Sequence, residues 1–406
     1  NGGTLALKLE NAGSATTTPT LTVGPATTLG TASAISIEAV GANYLKLAGA
    51  ANYITSNGST KTLTVTGTGT LNLDATSTLT ATAGNIRDSL TKLDASANTG
   101  GVTASVGKAT VAVTGGAGKD KITITGAATA GASFNLGAGD DQLLVNGGSV
   151  DANVVVDAGE GNDVVSNGLI TVANGGIFKN FEQLALDAAV TTDIELLTGS
   201  KITSLLINGN VSATAQNVAT ASTVDVTSTT AAGTTTIAVK GAAAALTDSL
   251  TFNFNGSAQA ATPVAANIKA GTVVANSVET LNLVSGGATN TWNSIAITDS
   301  KLQTVVITGS KNIGVTFAGV NGTVAGDNTG GVASIDASAL TGKLAINLAN
   351  VTKAVAGLSV KGGTAADTFT TAAFSSSLTG GAGTDKYVVT ASVAGTNDAT
   401  TAVITT

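Results

Sequence analysis

The sequence predicts an all-β chain wound as a parallel β-solenoid, in the manner of a β-helix or β-roll. Three observations predict it. Apolar residues alternate with a period of two rather than 3.6. Such strands recur about every twenty residues, within the period range of stacked repeats. Five glycine-rich turns, each carrying an aspartate, stand just ahead of a strand.

The alternation is explicit in the pairs Leu63 and Val65, Leu71 and Leu73, Ile122 and Ile124, Leu184 and Leu186, Leu205 and Ile207, Leu281 and Leu283, and Ile295 and Ile297. Thr, Asn and Ser separate these residues, and Gly, Asn and Ser bound the runs. Composition fits thin stacked layers: 43% of the 406 residues are hydrophobic but only 3% are aromatic, so inward positions are expected to take one small aliphatic each. One weak helix is expected over Ala83 to Leu93. The alanine run from Ala242 to Ala245, ending at Leu246, reads as a loop or a short helical turn.

Charge and residue types exclude several functions. Charged residues are 11% of the chain, against about 25% in ordinary domains. The net charge is -7, and Arg87 is the sole arginine, so no basic patch exists to hold nucleic acid or an anionic membrane. No apolar run approaches the ~18 residues of a membrane-inserting helix. With no cysteine, histidine or methionine, disulfides and thiolate metal sites are out, and stability must come from elsewhere, bound metal being one route. The chain does not begin with Met, and targeting segments are expected to lie outside it.

Repeats organise the chain. Leu281/Leu283 is followed 24 residues later by Val305/Ile307, and Phe181-Glu182-Gln183-Leu184 resembles Val278-Glu279-Thr280-Leu281. A longer duplication pairs Leu93-Asp94-Ala95-Ser96-Ala97 with Ile335-Asp336-Ala337-Ser338-Ala339. Each copy precedes a group of glycine-Asp turns. The expected division is a first β-solenoid module over 1–168 that ends in these turns, plain solenoid over 169–330, and a second turn-bearing module over 331–406.

The turns carry the chemistry. GGAGKDKIT at 115, LGAGDDQLL at 136, AGEGNDVVS at 158, GGTAADTFT at 362 and GGAGTDKYV at 380 match or nearly match Gly-Gly-x-Gly-x-Asp-x-U-x, with U a large apolar residue. This nonapeptide is the calcium-binding repeat of RTX proteins. Glycines let the backbone turn tightly and aim carbonyl oxygens at one point, and the aspartate adds carboxylate oxygens. Ca2+ wants six to eight oxygens, more than one turn supplies, so two stacked turns must share an ion. The expected ligand-bearing residues are Gly116, Gly118 and Asp120; Gly137, Gly139 and Asp141; Gly159, Gly161 and Asp163; Gly363 and Asp367; and Gly381, Gly383 and Asp385. Asp120, Asp141 and Asp163 lie 21 and 22 residues apart, and Asp367 and Asp385 lie 18 apart. These spacings predict two edge stacks with Ca2+ between neighbouring turns. An ordinary β-turn also favours Gly and Asp, but five matches, each with an apolar residue two after the aspartate, are unlike a chance set. The fourth is the poorest, with Ala365 in place of a glycine. Asp140 and Asn162, just before the aspartate, read as orienting it or, the plainer role, as solvating the turn, and Glu160 as facing outward.

With these turns, the Ala/Thr/Gly/Val composition, the segment from Phe178 to Leu184, and VASIDASAL at 332, the chain resembles the RTX-type S-layer proteins of Gram-negative bacteria, the group that includes those of Caulobacter and Campylobacter. The resemblance implies type I secretion, folding outside the cell on Ca2+, and self-association into a two-dimensional lattice at the cell surface. It also implies attachment to surface polysaccharide through a region not recognisable here. The family's C-terminal export signal is likewise not recognisable.

A structural lattice protein, not an enzyme, is therefore the expected function. An RTX adhesin or other large surface protein is the alternative, and a polysaccharide-acting β-helix enzyme a third. Catalysis would need convergent acids and bases, and Glu182, Glu195 and Glu279 are expected to stand singly on the solvated surface. Trp292, Tyr44 and Tyr53 are the only aromatics that suggest a sugar platform, and packing is the plainer role for them.

Overall fold

The computed structural model describes residues 4–14, 16–17, 20–23, 34–49, 62–73, 90–209, 211–230, 233–245, 247–254, 267–287, 292–320, 332–349, 351, 358–370, 376–388 and 402–405. These residues are almost entirely β, without an α-helix, and their ladders are parallel, as a β-solenoid requires. The chain divides into two compact units. One comprises 1–184 with 195–202, and the other 185–194 with 203–406.

In the first unit, one face is an eight-stranded sheet running from Thr4–Glu10 to Phe178–Lys179. A second face includes Val102–Val106, Lys121–Ile124, Gln142–Val145 and Val164–Ser166. The chain alternates between the faces, so successive strands of one face belong to successive rungs. Val113 pairs with Phe134 and Phe134 with Val156 on the first face, while Ile122 pairs with Leu143 and Leu143 with Val165 on the second. Each glycine-Asp turn between 115 and 163 joins the first face to the second at the same edge.

The second unit is built likewise. A nine-stranded sheet from Thr191–Asp193 to Lys386–Val388 alternates with strands running from Ser204–Ile207 to Ala402–Thr405. Leu281 pairs with Val305, as the 24-residue repeat predicts. Rung length varies: Val360 pairs with Leu378, 18 residues on, but Phe252 with Leu283, 31 residues on. The difference is taken up in the connections, leaving the ladders in register.

Most of the alternating residues point as expected. Leu63, Val65, Ile122, Ile124, Leu281, Leu283, Ile295 and Ile297 are buried, and the residues between them are at least partly exposed. Leu73, however, is only partly buried, and Ala185 and Leu206, between Leu184 and Leu186 and between Leu205 and Ile207, are buried as well. The expectation of small aliphatics at every inward position is corrected, however. Phe134, Phe178, Phe181, Phe252, Phe254, Phe317 and Phe369 are all fully buried, seven of the eight phenylalanines in the chain.

The expected helix over Ala83 to Leu93 is corrected at its C-terminal end. Leu93 lies in the strand Lys92–Asn98, pairing with Leu63 and Val113, and the stretch 83–89 lies outside the described residues. Pairing on both sides outweighs local helix preference. The alanine run is a short turn in which Ala244 N and Ala245 N donate to Gly241 O; Leu246 lies outside the described residues.

The duplication is structural as well as textual. Asp94 Oδ1 accepts from Ser96 N at 3.2 Å and Asp336 Oδ1 from Ser338 N at 2.9 Å. Both strands bulge here against the preceding rung. Further on, Ala117 N donates to Asn98 O in one unit and Thr364 N to Leu340 O in the other.

Phe252→Ala should destabilise the second unit by about 3–5 kcal/mol through cavity formation. Val172→Ala, at a position 86% exposed, should change stability by no more than about 0.5 kcal/mol. Urea unfolding of the two variants beside the parent measures both.

Candidate functional site: two columns of buried carboxylates

A parallel ladder places equivalent residues of successive rungs one above another. Lys121 pairs with Gln142 and Gln142 with Val164, so the residues just before them, Asp120, Asp141 and Asp163, are stacked. All three are buried, at 2%, 0% and 0% exposure. Their carboxylates are bound into the backbone. Asp120 N donates to Asp141 Oδ1 at 2.7 Å, and Asp141 N to Asp163 Oδ1 at 2.7 Å. At the start of the column Asp120 accepts from Val102 N on Oδ1, at 2.6 Å, and from Gly116 N on Oδ2, at 2.9 Å. At its other end Asp163 N donates to Glu182 Oε2 at 2.9 Å.

The second unit repeats the arrangement. Asp367 accepts from Leu344 N and Gly363 N, both at 2.8 Å, and its own N donates to Asp385 Oδ1 at 2.9 Å. Asp367 is buried and Asp385 half-buried. Below them the rings of Phe369 and Tyr387 stack at 5.3 Å. The two groups of turns therefore form the two stacks that their spacing predicts.

The glycines divide by position in the stack. Gly137, Gly139, Gly159, Gly161, Gly381 and Gly383, in the later turns, have positive φ. A Cβ on Gly159 would stand 1.8 Å from Gly137 O of the preceding rung, and φ there is +101°, so glycine is required twice over. In the first turn of each group, Gly116, Gly118 and Gly363 are absent from the left-handed region. Gly116 and Gly363 are needed for closeness instead: a Cβ would meet Asn98 O at 1.9 Å and Leu340 O at 2.2 Å respectively. Ala365 stands in such a first turn, where a left-handed backbone is not called for.

An outer column accompanies the inner one. Asp140 forms an ion pair with Lys119 and accepts from Asn162 N at 3.2 Å, and the lysine holds its carboxyl below the usual range. Glu160 is exposed, as expected. The expectation that Glu182 and Glu279 are solvated is corrected. Glu182 is half-buried and ends the first column. Glu279 is only 3% exposed and accepts from Asp248 N at 2.9 Å, in the same way. Glu195 is exposed. Asp299, 1% exposed, accepts from Ser277 N and Lys301 N. The signal for the two glutamates lay in the repeated Phe-Glu-Gln-Leu and Val-Glu-Thr-Leu segments.

Electrostatics set the chemistry of the columns. Burial pushes Asp120 up to about 6, Asp163 to about 7 and Asp141 to about 8, with neighbouring carboxylates adding to the effect at Asp141 and Asp163. Burial also raises Asp367, and takes Asp299 to about 7. Asp141 Oδ2 and Asp163 Oδ2 are buried without a hydrogen-bond partner, as are Asp248 Oδ2, Glu279 Oε1 and Asp299 Oδ2. A buried carboxylate oxygen without a donor calls for a proton or a cation. The donors in the turns are all oxygens, the set that a hard cation such as Ca2+ prefers. No three acidic side chains among the described residues close on one point, so an ion there would need carbonyl oxygens of the glycine turns to complete its shell.

Other candidate features are simpler. Trp292 is 39% exposed at the start of the strand Trp292–Asp299. Tyr44 belongs to the other unit, and Tyr53 lies outside the described residues. A shallow groove of about 360 Å³ in the second unit is lined by Gly271, Thr272, Ser294, Ile295, Ala296, Gly314 and Thr316, none of them ionisable. Among the described residues no helix is long and apolar enough to cross a membrane. No protein-family model matches this sequence, and no curated protein matches it.

Carboxyls whose folded pKa lies above the ordinary 3.8 bind protons more tightly in the folded state. Without divalent cations, their contribution to stability is complete below pH 3.8 and is lost as the pH rises through the folded values of about 6, 7 and 8. In EGTA, the melting temperature should therefore fall between about pH 4 and about pH 8.5. Asp141→Asn with Asp163→Asn should flatten that slope. Calorimetry at a series of pH values decides it; an unchanged slope in the double variant would place the titration elsewhere.

Proposed function

We propose that this chain is a structural, calcium-stabilised β-solenoid of the bacterial cell surface that self-associates into an S-layer lattice. The observation that carries the reading is the in-register stack of buried carboxylates on glycine-rich turns, with oxygens of Asp141 and Asp163 left unpartnered. In this reading Ca2+ sits between neighbouring turns of each stack. Asp141 and Asp163 in the first unit, and Asp385 in the second, would supply carboxylate oxygens, and the turn carbonyls would supply the rest; both oxygens of Asp367, like those of Asp120, already accept from the backbone. The ion replaces the proton that a buried carboxylate otherwise holds, and neutralises the column without a basic side chain.

Coupling to folding follows by mass action. An ion bound only by the folded state adds about 2.7 kcal/mol at a hundredfold excess over its Kd. A secreted chain would then fold where calcium is plentiful, outside the cell, in keeping with the type I secretion that the resemblance implies. The lattice draws on surface character: 11% charge leaves faces rich in Thr, Ser and Asn that repel one another weakly. A rigid body also loses little entropy on association.

Calcium titration of the chain, followed by scattering and negative-stain microscopy, tests the reading. Sheets or crystalline patches are expected at millimolar calcium and dispersed particles in EGTA. Calcium binding without assembly would favour the adhesin, and identical melting curves with and without calcium would remove the ion from the account altogether. Asp141, between two neighbours, should matter more than Asp120, both of whose oxygens the backbone already engages. Asp141→Asn should thus cost more bound calcium than Asp120→Asn in a calorimetric titration.

A further inference from the structure

Glu182 occupies the place of a fourth aspartate. Gln183 N donates to Asp163 O at 2.9 Å, just as Val164 N donates to Asp141 O and Gln142 N to Asp120 O, both at 2.8 Å. The residue before each donor is a carboxylic acid: Asp141, Asp163 and then Glu182. In each step the acid's side chain accepts the backbone N–H of the acid one rung earlier.

The change from aspartate to glutamate has a geometric cause. Asp157 pairs with Lys179 at the start of these turns. Six residues, 158–163, separate Asp157 from Val164, whereas only three, 180–182, separate Lys179 from Gln183. The shorter turn contains no glycine, and Asn180, at φ 58°, supplies its left-handed residue while donating to Asp157 Oδ1 at 2.7 Å. The additional methylene of glutamate carries the carboxylate across the shortened turn to the same N–H. The second unit offers an independent instance, in which Glu279 Oε2 accepts from Asp248 N and Thr280 N donates to Asp248 O at 3.0 Å. Both glutamates follow a buried apolar residue and precede a buried leucine by two positions.

We infer that Glu182 is a cation-binding residue, completing with Asp163 a last ion position at the end of the first column, in a turn that carries no glycine-Asp nonapeptide. This rests on the calcium reading above. The second observation is Asp163 itself, fully buried with an oxygen that lacks a partner, next to which Glu182 binds the same residue's N–H. No basic side chain forms an ion pair with Asp163 or Glu182 among the described residues.

The test is Glu182→Gln in the full chain, with calcium counted by equilibrium dialysis and the Asp163 amide followed by hydrogen exchange. The glutamine keeps an oxygen acceptor for Asp163 N but removes the charge. The expected result is one fewer ion bound, or a last ion held at least about tenfold more weakly, with amide protection in EGTA unchanged. Asp163→Asn should lose the same ion. Parent-like calcium binding by Glu182→Gln, beside a loss in Asp163→Asn, would overturn the inference and leave Glu182 as a backbone acceptor only, with the calcium reading intact. A parent chain that binds no calcium would overturn both.

Discussion

Every rung of this protein must hydrogen-bond to the next in register, and the glycine-Asp turns meet that constraint where it is hardest to satisfy. Between strands the backbone leaves its ladder, and its N–H groups need acceptors. Here an aspartate side chain from the next rung supplies one, so the ladder continues through the corner. Asp120, Asp141 and Asp163 thereby tie four successive turns together, with Glu182 closing the series. Asp367 and Asp385 do the same in the second unit.

That solution creates a second problem. Each carboxylate brought inside sits close to others of the same charge, and the backbone N–H groups satisfy one oxygen but not both at Asp141 and Asp163. A buried carboxylate is tolerated when protonated, or when a cation lies beside it. Under the calcium proposal the corners of the solenoid respond to ions and to pH, while the apolar interior between the faces does not. The same turns that hold the rungs in register would then make folding responsive to the medium.

The first turn of each group differs from those that follow, and its surroundings explain why. Asp120 and Asp367 each look back on a rung without an aspartate at that position, so the residue standing there, Val102 or Leu344, donates the main-chain N–H that a preceding aspartate donates in later turns. Their second oxygen is capped by the glycine of their own turn, Gly116 or Gly363. Later turns adopt a left-handed backbone at these glycines and leave that oxygen open at Asp141 and Asp163. A single sequence pattern therefore serves two structural roles, according to what lies one rung below.

By itself the sequence determined the all-β class, the two-residue alternation, the rung repeats and the two stacks of glycine-Asp turns. Each of these is local, or depends only on spacing along the chain: side chains alternate because a strand has a period of two, and equal spacings bring equal turns to one edge. The half-burial of Glu182 and the burial of Glu279, Asp248 and Asp299 were decided by tertiary structure. So was the strand at Leu93, where helix was expected, and the placing of seven phenylalanines in an interior expected to hold small aliphatics. A glutamate ahead of a strand reads as solvated surface until the neighbouring rung is known, because only that rung supplies the N–H it accepts. The physical reason is common to all these cases: register between rungs, not the residue's own neighbourhood, decides whether a side chain meets water or backbone.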